Sequence, residues 1–75
     1  MRHPNESTYL KAFGKRLAEV RRSTGLTQEQ VAEKADLTVL SVTYFETGRR
    51  WPRLSTLKRL AMSLSVEIGE LFKGV

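Results

Sequence analysis

Two short helical segments, separated only by Asp36 and Leu37, constrain the fold of this 75-residue chain more than any other feature. The first follows Thr27 and has Gln30 at its third position, a pairing typical of a capping box. The second follows Thr38, a residue type favoured at helix N-caps. A two-residue connection forces two helices to cross at a steep angle. The chain is therefore expected to fold around this crossed pair.

Three further helices are predicted around the pair. Apolar residues recur at helical spacing over residues 8–24, where Ser7 or Thr8 can act as N-cap and Gly25 suits the helix end. A fourth helix is predicted after a cap at Ser55, followed by a short fifth helix. No stretch alternates apolar and polar residues with strong β-formers, so the predicted fold class is all-α, a compact five-helix domain. Its core is predicted to contain Val20, Val31, Val42, Phe45, Leu57, Leu60 and Leu64.

The length indicates one domain, predicted over residues 8–75, with residues 1–7 as a flexible polar arm. The chain has no cysteine, which excludes disulfides and thiolate chemistry. A lone histidine, His3, cannot form a metal site by itself. No metal or cofactor is predicted. No apolar run approaches the ~20 residues that span a bilayer, and no signal-peptide core is visible, so we expect a cytoplasmic protein without a membrane role.

The formal net charge is +5, and its densest part is the loop that follows the third predicted helix. Arg49, Arg50 and Arg53 lie within five residues there, next to Trp51, which is expected to pack against the core. A basic cluster attracts phosphates, whereas net charge alone is better explained by a solvated surface. The position of the cluster, directly after a helix, therefore matters more than the total charge.

Residues 25–35, GLTQEQVAEKA, and residues 38–50, ending in FETGRR, resemble the Cro- and phage-repressor-like helix-turn-helix family, also called the XRE family. The resemblance covers roughly residues 13–73 and extends to small phage repressors and to controller proteins of restriction–modification systems. It implies a lambda-repressor-like fold with its helix-turn-helix at about residues 27–48. It also implies a regulator of transcription that binds double-stranded DNA as a homodimer on a partly palindromic operator.

The resemblance further implies which residues contact DNA. Gln28 matches a glutamine that typically binds a phosphate, the alternative being that it only supports the helix cap. The arginines of the basic loop would bind flanking phosphates without reading sequence. Five positions of the third helix match those that reach base edges or nearby phosphates: Thr38, Val39, Leu40, Thr43 and Tyr44.

The sequence departs from the family pattern at the positions that read bases. Many members carry Arg, Gln or Asn where this chain has Val39 and Leu40, which leaves Thr43 and Tyr44 as polar readers. Leu40 is expected to contact thymine methyls, the alternative being a single exposed apolar residue. Asp36 and Ser65 stand where the family often has glycine, so we expect tolerated turn substitutions there.

Two structural pairs complete the resemblance. Arg21 and Glu46 match a family ion pair that ties the first helix to the end of the third. Phe72 and Val75 share a face near the C-terminus and are predicted to be left exposed, which marks them as a candidate dimer interface. The alternative is that Phe72 folds back onto the fourth helix and the free protein is monomeric.

Other functions compete with regulation of transcription. An antitoxin-type autoregulator would require a toxin partner, and a protein-interaction module on the same fold would have no DNA role. No nucleophile–base pair, carboxylate dyad or phosphate-binding glycine loop is visible, which disfavours an enzyme. No small-molecule effector is predicted either.

Overall fold

The structure, a computed structural model, describes residues 5–75, which contain no strand. The all-α prediction is confirmed, but four α-helices replace the predicted five. The last predicted helix is instead a 3-10 helix of five residues, which lies between the left-handed turn at Ser65 (φ 56°) and Lys73, whose backbone is extended. The elements are α1 (Glu6–Ser23), α2 (Gln28–Ala35), α3 (Val39–Glu46), α4 (Leu54–Ser63) and the 3-10 helix (Ile68–Phe72).

One apolar core holds these elements together. Helix α1 packs against α3 and the 3-10 helix, whereas α2 packs against α3 and α4. All seven predicted core residues are buried in this cluster, so that prediction is confirmed. Phe13, Leu17 and Leu71 join them and are almost inaccessible to solvent. Partly buried residues packed against the cluster include Trp51 and Val75.

The caps of the crossed pair follow the sequence closely. The Thr27 hydroxyl accepts from the Gln30 N–H at 3.1 Å, and the Gln30 side chain accepts from the Thr27 N–H at 2.8 Å. The capping box is therefore complete. Asp36 ends α2 in the left-handed region, with φ 56° and ψ 52°. The Thr38 hydroxyl then caps α3 by accepting from the Ser41 N–H. Local side chains thus fix the turn between the two helices.

Two predicted helix starts are wrong by two residues. Helix α1 begins at Glu6, because the Asn5 side chain accepts from the Thr8 N–H at 2.9 Å and caps the helix. Part of the predicted arm, residues 1–7, therefore belongs to α1. Residues 1–4 of the arm, including His3, lie outside the described residues. Helix α4 begins at Leu54 rather than after a Ser55 cap, and no side chain caps it.

Helix α1 crosses the end of α3 at backbone contact distance. A Cβ atom built on Gly14 would lie 2.5 Å from the Phe45 carbonyl oxygen and 2.7 Å from that of Glu46. Real Cβ atoms do not approach backbone atoms so closely. The absence of a side chain at Gly14 therefore sets how near α3 lies to α1.

Among residues 5–75, no helix has both the length and the apolar character needed to cross a membrane.

Candidate nucleic-acid interface

Helix α3 has one face in the core and one face in solvent. Val42 and Phe45 point inward and are 0% and 4% exposed. Leu40, on the opposite side, is 59% exposed, and Val39, in the first turn of the helix, is 39% exposed. Tyr44 lies one turn after Leu40 on the outer side and is half-buried. An α-helix held in this way presents its outer residues to a groove wide enough to admit it.

Polar side chains join the start of α2 to α3. The Gln28 amide nitrogen donates to a Glu46 carboxylate oxygen at 2.9 Å. The Thr43 hydroxyl donates to the Gln28 carbonyl oxygen at 3.0 Å. Both side-chain ends of Gln28 are therefore engaged within the protein. Thr43 retains its acceptor lone pairs and its methyl group for a partner. Thr38 likewise uses its hydroxyl to cap α3, as described above.

The same network includes an ion pair between α1 and the end of α3. Arg21 Nε and Nη2 donate to the two carboxylate oxygens of Glu46 at 2.6 and 3.1 Å. The two side chains are 13% and 5% exposed. The hydrogen bond to Glu46 raises the pKa of Arg21 above its ordinary value, outweighing the effect of burial. The guanidinium therefore stays charged, and Arg21 also donates to the Leu26 carbonyl oxygen.

Trp51 anchors the basic loop between α3 and α4. Its ring lies 5.3 Å from the ring of Phe13, centroid to centroid, and its indole N–H donates to the Glu6 carboxylate. The expectation that Trp51 packs against the core is confirmed. Because α1 provides both contacts, the loop has a fixed position relative to the rest of the domain.

The arginines of this loop remain accessible. Arg49, Arg50 and Arg53 are exposed, and the Arg49 guanidinium lies over the Tyr44 ring at 5.5 Å from its centroid. An open cleft of about 470 Å³ separates the loop from α3. Its polar lining consists of Ser41, Arg50, Arg53 and Thr56. The structure therefore places two cations and two hydroxyl groups around a space next to the exposed face of α3.

The surroundings of Phe72 and Val75, near the C-terminus, differ from those predicted. Phe72 stacks on Phe13 with ring centroids 5.1 Å apart and is 38% exposed. It folds onto α1, not onto α4 as the monomeric alternative supposed. Val75 is partly buried against the core and is not left free in the monomer. The apolar surface at this end is therefore smaller than the sequence indicated.

One polar contact had no sequence signal. Arg16 of α1 donates from Nε to the Glu70 backbone oxygen at 2.7 Å and pairs with the Glu70 carboxylate at 3.3 Å. The two residues are 54 positions apart, and nothing in their local sequence indicates the contact. Among the described residues, no group of His, Asp and Glu could hold a metal ion.

Comparison with known proteins gives the same architecture. The HTH_3 model, described as helix-turn-helix, matches residues 17–71. The chain is 40% identical to the restriction-modification controller protein C.AhdI from Aeromonas hydrophila. The two structures superpose with a TM-score of 0.82 over 84% of this chain and 96% of that one.

Two relatives have names that indicate opposite directions of regulation. The chain is 34% identical over 62 residues to the transcriptional activator BcrR of Enterococcus faecalis, covering 83% of this chain and 30% of BcrR. It is 36% identical over 58 residues to the immunity repressor protein of Bacillus phage phi105, covering 77% of this chain and 40% of the repressor. The chain thus spans less than half the length of either relative.

Proposed function

The chain belongs to the HTH_3 helix-turn-helix family, and from that membership we propose that it is a sequence-specific DNA-binding regulator of transcription. The family consists of transcription regulators and not of enzymes. The proposed activity is that of a repressor or autoregulator on a partly palindromic operator in the cytoplasm. The proposed partners are double-stranded DNA and a second copy of the chain.

The observation that carries this proposal is the arrangement of α3 and the basic loop. The inner residues of α3 are held in the core, so its exposed side, centred on Leu40, projects from the domain. The arginine loop follows within three residues of its end. A protein that reads base edges with a helix and binds the DNA phosphates with neighbouring cations needs a helix followed closely by such a basic loop.

The residues proposed to contact DNA fall into two groups. Val39, Leu40, Thr43 and Tyr44 belong to α3 and would face the major groove, with Leu40 against thymine methyls. The phosphate group comprises Gln28, Thr38, Arg49, Arg50 and Arg53. Because the Gln28 amide already bonds to Glu46 and Thr43, its phosphate contact would come from the backbone N–H groups at the start of α2.

Selection of DNA fragments tests the proposal directly. The purified protein is incubated with random duplexes, and the bound fraction is sequenced after several rounds. We expect enrichment of a site with two inverted halves whose centres are about one helical turn apart. A bound pool with no shared sequence would contradict sequence-specific binding.

The basic loop is expected to set the salt dependence of binding. In an Arg50→Ala/Arg53→Ala variant, the slope of log affinity against log salt should flatten by about one unit for each phosphate that the variant no longer binds. Fluorescence anisotropy with a labelled duplex measures this slope. The matched control is Lys15→Ala/Arg22→Ala, which removes the same charge from exposed positions of α1. Equal slopes in the two variants would show that the loop does not touch phosphate.

Tyr44 is expected to contribute to sequence preference. Its side chain makes no hydrogen bond among the described residues, whereas the Thr43 hydroxyl donates to Gln28. Tyr44→Ala should reduce the ratio of specific to non-specific affinity by about tenfold, since one good base contact contributes about 1–3 kcal/mol. Competition binding with operator and random duplexes gives the ratio. Tyr44→Phe separates the hydroxyl from the ring, and equal losses on both duplexes would contradict this role.

The comparisons give no support to the antitoxin or to the protein-interaction module. The three relatives described above are named as a transcriptional activator, an immunity repressor and a controller protein, and none is named an antitoxin. A protein-interaction module without a DNA role would also leave the exposed arginine loop unexplained.

A further inference from the structure

Four polar side chains connect the buried ion pair between α1 and α3 to the outer side of α3. Arg21 donates to both carboxylate oxygens of Glu46, so this carboxylate can only accept further hydrogen bonds. The Glu46 side chain is 5% exposed, and a mismatched polar neighbour would be costly there. Gln28 therefore turns its amide nitrogen toward Glu46 and donates to it at 2.9 Å. The ion pair thus fixes the orientation of the Gln28 amide.

The orientation of Gln28 decides how Thr43 can use its hydroxyl group. With its nitrogen on Glu46, the Gln28 amide presents its carbonyl oxygen to Thr43, and this oxygen can only accept. The Thr43 hydroxyl donates its single proton to that oxygen at 3.0 Å. The hydroxyl keeps two acceptor lone pairs and has no proton left for a second partner.

Thr43 lies on the side of α3 that is proposed to enter the major groove. It follows Leu40 by three residues, which places it about 60° from that exposed side chain around the helix. Every base pair has one exocyclic amino group at its major-groove edge, adenine N6 or cytosine N4, whereas its other polar atoms there are acceptors. An acceptor therefore distinguishes which strand carries the amino base. A hydroxyl with a free proton would not, because it could also donate to guanine O6 or thymine O4.

We infer that Thr43 reads an exocyclic amino group and that Gln28 restricts it to this role. On the strand that Thr43 reaches, one position of each half-site is adenine or cytosine, and guanine or thymine is rejected. Gln28 is then a positioning residue, which acts through Thr43 without touching a base. The inference rests on the proposed function and deepens it, since it states the base chemistry that one side chain recognises.

Selection of DNA fragments with matched variants identifies the position. Thr43→Val has nearly the same shape but no hydroxyl, so the position that Thr43 reads should lose its preference in that variant. For the wild type we expect an amino base there, and a keto base should lower the affinity by about fivefold or more, the usual cost of one mismatched base pair. Thr43→Ser keeps the hydroxyl and should keep the preference, with a lower total affinity because the methyl group is lost.

Removal of the amino group alone tests the contact at the level of one atom. A duplex with unsubstituted purine in place of adenine, or with the 4-deamino analogue of cytosine, lacks only this group at the position. By fluorescence anisotropy the wild type should lose affinity about three- to tenfold, as expected for one hydrogen bond, and Thr43→Val less than about twofold. Both proteins meet the same loss of base pairing, so the difference between them belongs to the contact.

Gln28→Leu tests the positioning role. The variant has no acceptor for the Thr43 proton, so keto bases should become tolerated and the preference at this position should fall below about twofold. The positions read by Leu40 and Tyr44 serve as the reference. A variant that merely loosened the contact between α2 and α3 would weaken the preferences at all positions together, whereas loss of the positioning role affects one.

Several outcomes would overturn the inference and leave the proposed function standing. They are a shared site in which no position responds to Thr43→Val, a guanine or thymine at the position that does respond, wild-type binding that is insensitive to the amino group, or a full preference in Gln28→Leu. A bound pool without any shared sequence would contradict the proposed function as well. If thermal melting shows that Gln28→Leu is unfolded, the analogue duplexes with Thr43→Val decide alone.

Discussion

Replacing Gly14 with alanine is expected to destabilise the domain by about 2 kcal/mol or more, although alanine is the better helix former. Intrinsic propensity favours the change by about 1 kcal/mol. The new Cβ, however, would lie 2.5 Å from the Phe45 carbonyl oxygen, and backbone atoms cannot move aside as a flexible side chain can. Overpacking of this kind costs about 1–3 kcal/mol and occasionally more. Thermal denaturation should show a melting temperature lower by about 8–16 °C.

Gly69→Ala is the matched control for Gly14→Ala. A Cβ at Gly69 would meet no atom within 4 Å, and the substitution should change stability by no more than about 0.5 kcal/mol. Equal melting temperatures for the two variants would mean that α1 and α3 do not approach each other as described. A more stable Gly14→Ala variant would mean that helix propensity outweighs the steric clash.

Glu46→Ala is expected to remove about 3 kcal/mol of folding free energy. The substitution leaves the Arg21 guanidinium partly buried without its carboxylate, and breaking a buried pair on one side typically costs about 3–5 kcal/mol. It also releases the Gln28 amide, so the carboxylate no longer joins α2, α3 and α1. Urea denaturation at neutral pH measures the change. The Arg21→Met/Glu46→Leu double variant should regain much of the stability, because no charge is then left buried.

The comparison for this prediction is the pair between Arg16 and Glu70. The Glu70 side chain is 42% exposed, and solvent weakens the interaction, so Glu70→Ala should cost no more than about 1 kcal/mol. The Arg16 hydrogen bond to the Glu70 backbone oxygen survives that change. If Glu46→Ala unfolds no more easily than Glu70→Ala, the Arg21–Glu46 pair does not hold α3 in place.

The crossed helices and the core were predictable because their signals are local. Thr27 and Thr38 are strong N-caps, and each lies directly before an apolar repeat of helical period. The capping residue and its backbone partner lie within one turn, so no tertiary information is needed. Burial of Val42 and Phe45 followed from their spacing of three, which places both on one face of α3.

The ends of the helices were less predictable, because several neighbouring residues could each act as the N-cap. Asn5, Ser7 and Thr8 can all cap a helix, and the structure uses Asn5. Helix α4 begins after Arg53, which makes no capping bond, so the nearby Ser55 gave a misleading signal. The last segment has helical spacing, yet it forms only a five-residue 3-10 helix, which ends where the backbone of Lys73 becomes extended.

The sequence predicted which residues form the site, but it did not predict the hydrogen bonds between them. The sequence indicates that Gln28 begins α2 and that Thr43 lies on α3, but their hydrogen bond depends on how the two helices cross. The Arg16–Glu70 pair joins residues from opposite ends of the described chain. Gly14 is a glycine within a helix, and only the neighbouring backbone shows why a side chain cannot fit there.

The burial of Leu71 has a consequence for synthesis of the protein. This side chain is inaccessible to solvent, and the adjacent Phe72 covers Phe13 of the first helix. A chain in which only the residues up to the end of α4 can fold therefore has this part of α1 uncovered, and its core lacks Leu71. The core is complete only when the 3-10 helix is also free to pack against α1 and α4. Translation that stops before codon 71 releases a chain with exposed Phe13, open to proteases rather than a smaller working domain.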